Sequence, residues 1–312
     1  MPRFSVVVPL HDEEESLPEL YRRLATVLES LGGDWELVLV DDGSRDRSFE
    51  IMLELRERDP RVKVVRLSRN FGHQVAITAG IDLASGDAVI VMDGDLQHPP
   101  EVIPELVARW REGYDVVYGV MTERAGETWF KRWTARCFYR LLGRMSDLEV
   151  PPSAGDFRLV DRRAVNAFTS LRERNRYVRG MFSWIGFRQA GVPYSAPARA
   201  AGQTKYTVPR MTRLALHGIL SFSNAPLRLV LALGFVVSGF AIAEAIYALV
   251  GKFGGFYTVS GWASIVFVVS LLGGIQLIVL GVIGEYVSLI YDEAKRRPIY
   301  VIREQHGFEQ EP

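Results

Sequence analysis

The sequence holds a single cysteine, Cys137, among its 312 residues. One cysteine rules out an intrachain disulfide and any zinc cluster built on thiolates, and it suits a reducing, cytosol-facing domain. Net charge is missing too. Lys and Arg number 37 and so do Asp and Glu, so no overall basic field draws nucleic acid to the protein. The apolar run Phe4–Leu10 meets Asp12, Glu13, Glu14 and Glu15 without a small-residue cleavage site, which predicts no signal peptide. There is no internal repeat and no low-complexity tract.

What is present divides unevenly. Hydrophobic residues make up 48% of the chain, but the long apolar runs all lie beyond Pro226. Before that point the pattern alternates. Phe4–Leu10 (FSVVVPL) reads as a buried strand, and Leu17, Leu20, Leu24, Val27, Leu28 and Leu31 recur at helical spacing. Strands are expected at Glu36–Val40, Val62–Leu67, Ala88–Met92 and Asp115–Gly119, with helices at Ser48–Arg58, His73–Leu83 and Pro100–Arg111. This β-α-β-α order predicts an α/β fold: a doubly wound, Rossmann-like, mostly parallel sheet with helices on both faces. Such sheets bind ligands outside the carboxyl ends of their strands. The polar clusters Pro9–Glu15, Asp41–Ser44 and Asp93–Gln97 fall at those ends.

Two segments have the look of membrane spans, at about 227–250 and 262–286, each longer than the roughly 20 residues that cross a bilayer. Their linker carries only Lys252, whereas Arg210, Arg213 and Arg228 flank one end and Lys295, Arg296 and Arg297 the other. The positive-inside rule therefore puts both ends in the cytoplasm. The expected division is a cytosolic domain at 1–206, an amphipathic juxtamembrane helix at 207–226, a two-helix hairpin within 227–290 and a cytosolic tail at 291–312. A multi-pass protein of the inner (plasma) membrane is expected. Between Met121 and Gly143, aromatics such as Trp129, Trp133 and Phe138 interleave with Lys131, Arg132, Arg136 and Arg140. That composition suits a membrane interface, and also a helix packed on the domain with its charges solvated. Glu244 is costly at membrane depth and is expected to face a partner within a homo-oligomer or to sit near the outer interface.

Asp93-Gly94-Asp95, after the strand-like VIVM, is the central chemical feature. Carboxylates two residues apart hold a hard divalent cation (Mg2+ or Mn2+) against the phosphates of a nucleotide, the glycine admits the backbone, and Gln97 adds an oxygen. Asp41-Asp42-Gly43-Ser44 offers a carboxylate to a uracil imide or to ribose hydroxyls; the same residues also make an ordinary Asp-Gly turn. Pro9 and Glu13 would line the same pocket, while Glu14 and Glu15 read as charges at a helix start.

Taken together, VVVPLHDEEESL, LVLVDDGSRDRS, SRNFGHQVA, VMDGDLQHPP and AGDFRLVDRRA resemble family 2 glycosyltransferases of the GT-A fold. The likeness is nearest to polyprenyl-phosphate glycosyltransferases, among them bactoprenol glucosyltransferases and dolichyl-phosphate mannose synthase, and it includes the two apolar segments. The resemblance implies Asp93, Asp95 and Gln97 as metal ligands. Pro9, Glu13, Asp41, Asp93 and Gly94 are implied as nucleotide-sugar contacts, and Asp156 as the carboxylate at the reacting centre. Arg124, Arg158, Arg199 and Lys205 are implied as groups binding donor or lipid phosphate, with Lys205 also catalytic. Processive members of the wider family carry Gln-x-x-Arg-Trp, which is absent here. The implied reaction is transfer of one sugar, with inversion, from a nucleotide sugar to a polyprenyl phosphate. UDP-glucose and undecaprenyl phosphate are the leading pair. Alternatives are GDP-mannose, a UDP-N-acetylhexosamine or a UDP-aminoarabinose derivative as donor, or a diacylglycerol acceptor. A non-enzymatic regulator of a flippase would have no need of Asp156.

Overall fold

A computed structural model describes residues 3–123, 154–195, 225–254 and 261–308. Its first half follows the expected alternation. Strands β1 (Phe4–Leu10), β2 (Trp35–Asp41), β3 (Val62–Leu67) and β4 (Ala88–Val91) are joined by helices α1 (Leu17–Leu31), α2 (Ser48–Arg58) and α3 (His73–Leu83). A 3-10 turn at Pro100–Val102 leads into α4 (Ile103–Arg111), and β5 (Val116–Glu123) follows. β1, β2 and β4 are buried along their whole length, which is why they carry continuous β-branched runs instead of alternating ones. α1 turns Leu17, Leu20, Leu24 and Leu28 inward, one stripe of a 3.6-residue period.

The second half departs from simple alternation. β6 (Ala154–Asp161), α5 (Arg162–Ser170), α6 (Val178–Trp184) and β7 (Gln189–Ser195) complete the domain. The sheet order is β7-β5-β6-β4-β1-β2-β3, with β8 (Ile302–His306) beyond β3. β6 runs antiparallel between β4 and β5, so β5 does not neighbour β4 as the alternation suggested. The sheet is therefore mixed: parallel across β4-β1-β2-β3 and β5-β7, antiparallel at β6 and β8. Register carries the consequence. Val91 faces Arg158 across β4 and β6, and the same register carried two residues further brings Asp156 alongside Asp93.

Two long helices follow, α7 (Ala225–Phe253) and α8 (Trp262–Ala294). At 1.5 Å per residue they run about 44 and 50 Å, beyond the ~30 Å of a hydrocarbon core. Leu271–Ala294 is long and apolar enough to cross a membrane, with a mean hydropathy of 1.7 and none of it buried; the apolar stretch Val230–Ala243 is shorter. Phe235, Phe240, Leu277 and Ile278 stand exposed on this pair. α8 extends past the span read from sequence. The tail after it is no loose appendage, since β8 pairs with β3 and closes one edge of the sheet.

The edge of the sheet away from the strand carboxyl ends is held by Glu36, 1% exposed within β2. Ser5 Oγ donates to it at 2.5 Å, the Ser85 amide at 2.7 Å and Arg3 Nη2 at 3.0 Å, while Lys63 Nζ lies 2.7 Å away. Burial alone pushes this carboxyl up, but Lys63 and the Ser5 and Ser85 donors outweigh it and bring its pKa down to about 2. A folded pKa below the unfolded one contributes stability above about pH 4.5 that is lost as pH falls toward about 2. Glu36→Gln is therefore expected to flatten the acid limb. Thermal midpoints taken from pH 6 to pH 3 should fall more steeply for the parent protein than for the variant.

Candidate active site

The loops after β1 and β2 are laced together. The Asp12 amide donates to Ser44 Oγ (3.1 Å), Arg45 N to Asp12 Oδ1 (2.8 Å), Glu13 N to Ser48 Oγ (2.8 Å) and Arg47 N to Glu14 Oε2 (3.0 Å). Asp42 reaches the third loop: its carboxylate accepts the amides of Phe71 (2.7 Å) and Gly72 (2.9 Å), just ahead of α3. Burial raises the Asp42 pKa despite those donors. Gly43 cannot be replaced cheaply, because it has a φ of +71° and a Cβ there would lie 2.7 Å from the Asn70 nitrogen.

Asp41, read from sequence as a nucleotide contact, is closed to solvent. Its Oδ1 accepts the Ser44 amide at 2.8 Å and its Oδ2 lies 3.1 Å from Arg66 Nε. As placed, this carboxylate shapes the loop and lines no open surface. Pro9 is buried in β1, opposite Val40. Glu13 is half-buried, accepting the Ser16 hydroxyl at 3.0 Å.

After β4 the chain turns sharply. Gly94 presses on β1, where a Cβ would stand 2.3 Å from Leu10 Cδ2, and Leu96 takes a φ of +62°. Asp93, Asp95 and Gln97 are half-exposed and alternate with buried Gly94, Leu96 and His98. Asp95 Oδ1 accepts the Gln97 amide at 3.1 Å. His98 accepts the Asp93 amide through Nδ1 at 2.9 Å and stacks on Phe157 with ring centres 5.1 Å apart; an accepting Nδ1 leaves the ring proton on Nε2.

Asp156 completes the group from β6. Arg179 of α6 grips it with both arms, at 2.9 and 3.0 Å, and Gln74 Nε2 donates at 3.4 Å. His73, the first residue of α3, stands between the carboxylates, its Nε2 3.2 Å from Asp93 Oδ1 and 3.6 Å from Asp156 Oδ2. Burial pushes the Asp156 carboxyl up, yet Arg179 and His73 hold it well below the usual range. Burial likewise works against protonated His73, and the two carboxylates overcome it, raising its pKa well above the ordinary value. Burial raises Asp93 as well, and the protonated His73 beside it brings it below its ordinary value.

Arg158, taken from sequence as a phosphate-binding group, is buried beneath the site, its Nη2 3.8 Å from Asp156 Oδ1. It is 3% exposed, donates to the Gly155 carbonyl at 2.8 Å and lies over the Phe182 ring, and burial lowers its pKa to about 10. Arg124, Arg199 and Lys205, the aromatic-basic segment 121–143 beyond residue 123, and nearly all of 207–226 lie outside the described residues. His73, Gln74, His98 and Arg179 were not singled out from sequence. His73 and Gln74 sit in SRNFGHQVA and His98 in VMDGDLQHPP, which gave a signal of family but not of role; Arg179 gave none.

Among the described residues no three His, Cys, Asp or Glu side chains already converge on one point. The donor chemistry nonetheless fits a hard divalent cation. Asp93 Oδ1 is a buried oxygen whose close cationic neighbour is His73 Nε2 at 3.2 Å, and Asp95 and Gln97 present further oxygens from the same turn.

Residues 5–168 match the family described as Glycosyl transferase family 2. A Bacillus subtilis protein described as the uncharacterized glycosyltransferase YkcC is 47% identical over 307 residues, covering 98% of this chain and 95% of its own. The SfII prophage-derived bactoprenol glucosyl transferase of Shigella flexneri is 38% identical over 304 residues, covering 97% of this chain and 98% of its own. Glucosyl-3-phosphoglycerate synthase from Mycobacterium tuberculosis, solved with Mn2+, UDP-glucose and phosphoglyceric acid, superposes with a TM-score of 0.48 at 19% identity, over 70% of this chain and 78% of that one.

The lacing of the loops depends on the backbone at Gly43. Gly43→Ala is expected to cost about 1–3 kcal/mol, read as a lowered thermal midpoint together with faster amide exchange at Phe71 and Gly72, whose acceptor is Asp42.

Proposed function

This chain belongs to glycosyl transferase family 2 and is a glycosyltransferase, and on that footing we propose that it transfers one sugar from a nucleotide sugar to a polyprenyl phosphate at the cytoplasmic face of the membrane. UDP-glucose is the proposed donor and undecaprenyl phosphate the proposed acceptor, matching the activity in the name of the Shigella relative. One observation carries the reading. A half-exposed Asp-Gly-Asp turn and a buried carboxylate meet at the strand ends, with two cationic side chains fixed between and beside them.

In this reading the lipid phosphate oxygen attacks the anomeric carbon while the bond from that carbon to the diphosphate breaks, and the single displacement inverts configuration. A phosphate monoester is already anionic near neutral pH, so no strong base is required. Asp156 suits that chemistry, because a carboxylate held so acidic by Arg179 and His73 is a poor proton acceptor. Its task is positional: it fixes the Arg179 guanidinium and the His73 imidazolium where negative charge gathers on the departing diphosphate. Asp93, Asp95 and Gln97 would hold a Mg2+ or Mn2+ ion, which supplies further charge neutralisation to the diphosphate when bound. Gly94 and Glu13 border the donor side, while Arg124, Arg199 and Lys205 are the proposed contacts to donor and lipid phosphate.

The membrane placement draws support from connectivity. β1 precedes both helices and β8 follows them, yet both strands lie in one sheet, which favours a hairpin whose two ends share one side of the bilayer.

Transfer of radiolabelled sugar into an organic-phase lipid tests the proposal directly, with a panel of nucleotide sugars against polyprenyl phosphate and diacylglycerol. Label that stays in water with every pair, or that follows only diacylglycerol, refutes it. Asp95→Ala is expected to abolish transfer and weaken metal-dependent UDP binding without lowering the thermal midpoint; full activity there, or in excess chelator, removes the metal assignment. Asp156→Asn should cut turnover by at least about tenfold with nucleotide affinity held within about threefold. Calorimetric titration with UDP and metal, run beside the transfer assay, separates the two effects.

A further inference from the structure

The last strand lies close to the donor side of the sheet, and its contacts are specific. In the last turn of α8 the Glu293 carboxylate accepts the Arg174 amide at 2.6 Å; beyond the helix Tyr300 donates its hydroxyl to Asp82 at 2.9 Å, and the Val301 carbonyl accepts the Ser68 amide at 2.8 Å. β8 then pairs antiparallel with β3, setting Glu304 opposite Arg66. Arg66 is the shared part. Its Nε lies 3.1 Å from Asp41 Oδ2, its Nη1 lies 3.4 Å from Glu304 Oε1, and its guanidinium carbon sits 4.2 Å from the centre of the Phe49 ring. Phe49 in turn meets the His306 ring, from the same strand.

Asp41 makes this arrangement consequential. A carboxylate closed to solvent is costly unless it is paired, and Arg66 is the cation beside it. With Arg66 in place, Asp41 holds the Ser44 amide, and Ser44 Oγ holds the Asp12 amide in the loop after β1. Ring stacking and two carboxylates fix a planar guanidinium in one orientation; a like charge at 304 would drive it off the ring and away from Asp41.

We propose that Arg66 and Glu304 are positioning residues for the Asp41–Ser44 loop, so that the strand following the last apolar helix keeps the donor side of the site in shape. The inference rests on the donor reading above for its effect on nucleotide, but not for its effect on the loop.

The test uses the full chain in detergent micelles, with Glu304→Lys as the main variant and Glu304→Gln as a milder one. Arg303→Glu, an exposed neighbour on β8, is the control for a charge change on the strand. Amide exchange across 41–47 is measured without nucleotide, and steady-state kinetics are run with the nucleotide sugar. Glu304→Lys is expected to speed exchange at Ser44 and raise the donor KM, each by about three- to fivefold, with kcat within about twofold. Glu304→Gln should move both in the same direction by less, and Arg303→Glu neither. Exchange across 41–47 that matches the parent protein in both Glu304 variants overturns the proposal. Faster exchange in a chain whose parent form binds no UDP would remove the donor reading and leave the coupling standing.

Discussion

Carboxylates are gathered at one edge of this sheet in a number that the edge could not hold without compensation. Asp41 and Asp156 are buried outright and Asp93 is half-buried, and each would repel its neighbours or take up a proton if left alone. Arg66 sits against Asp41, Arg179 clasps Asp156, and His73 stands between Asp156 and Asp93. The elements that bring those cations are therefore as much part of the site as the strands that bring the acids. α6 is short, but it delivers Arg179; α3 begins at His73 because the amides before it are tied to Asp42.

This balance bears on what the site can do. Buried acids kept ionised by fixed cations make a preorganised field, and such a field stabilises charge that appears during a reaction without reorganising to meet it. It is poorly suited to taking a proton from a neutral hydroxyl. An acceptor that arrives already anionic removes that need, which joins the electrostatics of Asp156 to the choice of a lipid phosphate.

Much of the frame was legible in the sequence, because buried parallel strands and amphipathic helices have periods that survive without context. β1 and β3, α2 and α3 fall where the pattern puts them. The Asp-Gly-Asp turn was visible too, since spacing and a preceding apolar strand suffice to mark it. Antiparallel β6 was hidden because strand order is a fact of pairing, and nothing in AGDFRLVD tells which neighbour it takes. The partners of Asp156 were hidden for the same reason: Arg179 and His73 are remote in sequence and meet only in space. That Asp41 and Arg158 are buried was hidden, because residue type says nothing about which side of a strand end is open. β8 was missed because IREQH is short and polar, with no apolar period, as suits a strand at an exposed edge.

That edge strand also orders events in the making of the protein. β3 and β8 are separated by most of the chain, with both long helices between them. As the polypeptide emerges, β3 presents unpaired backbone groups along one edge until β8 has left the ribosome and folded back past the two helices. Contacts of such long reach form late, and an open strand edge invites pairing with other chains while it waits. Completion of the sheet thus waits on the helices: until the strand beyond them folds back onto β3, that edge stays uncovered.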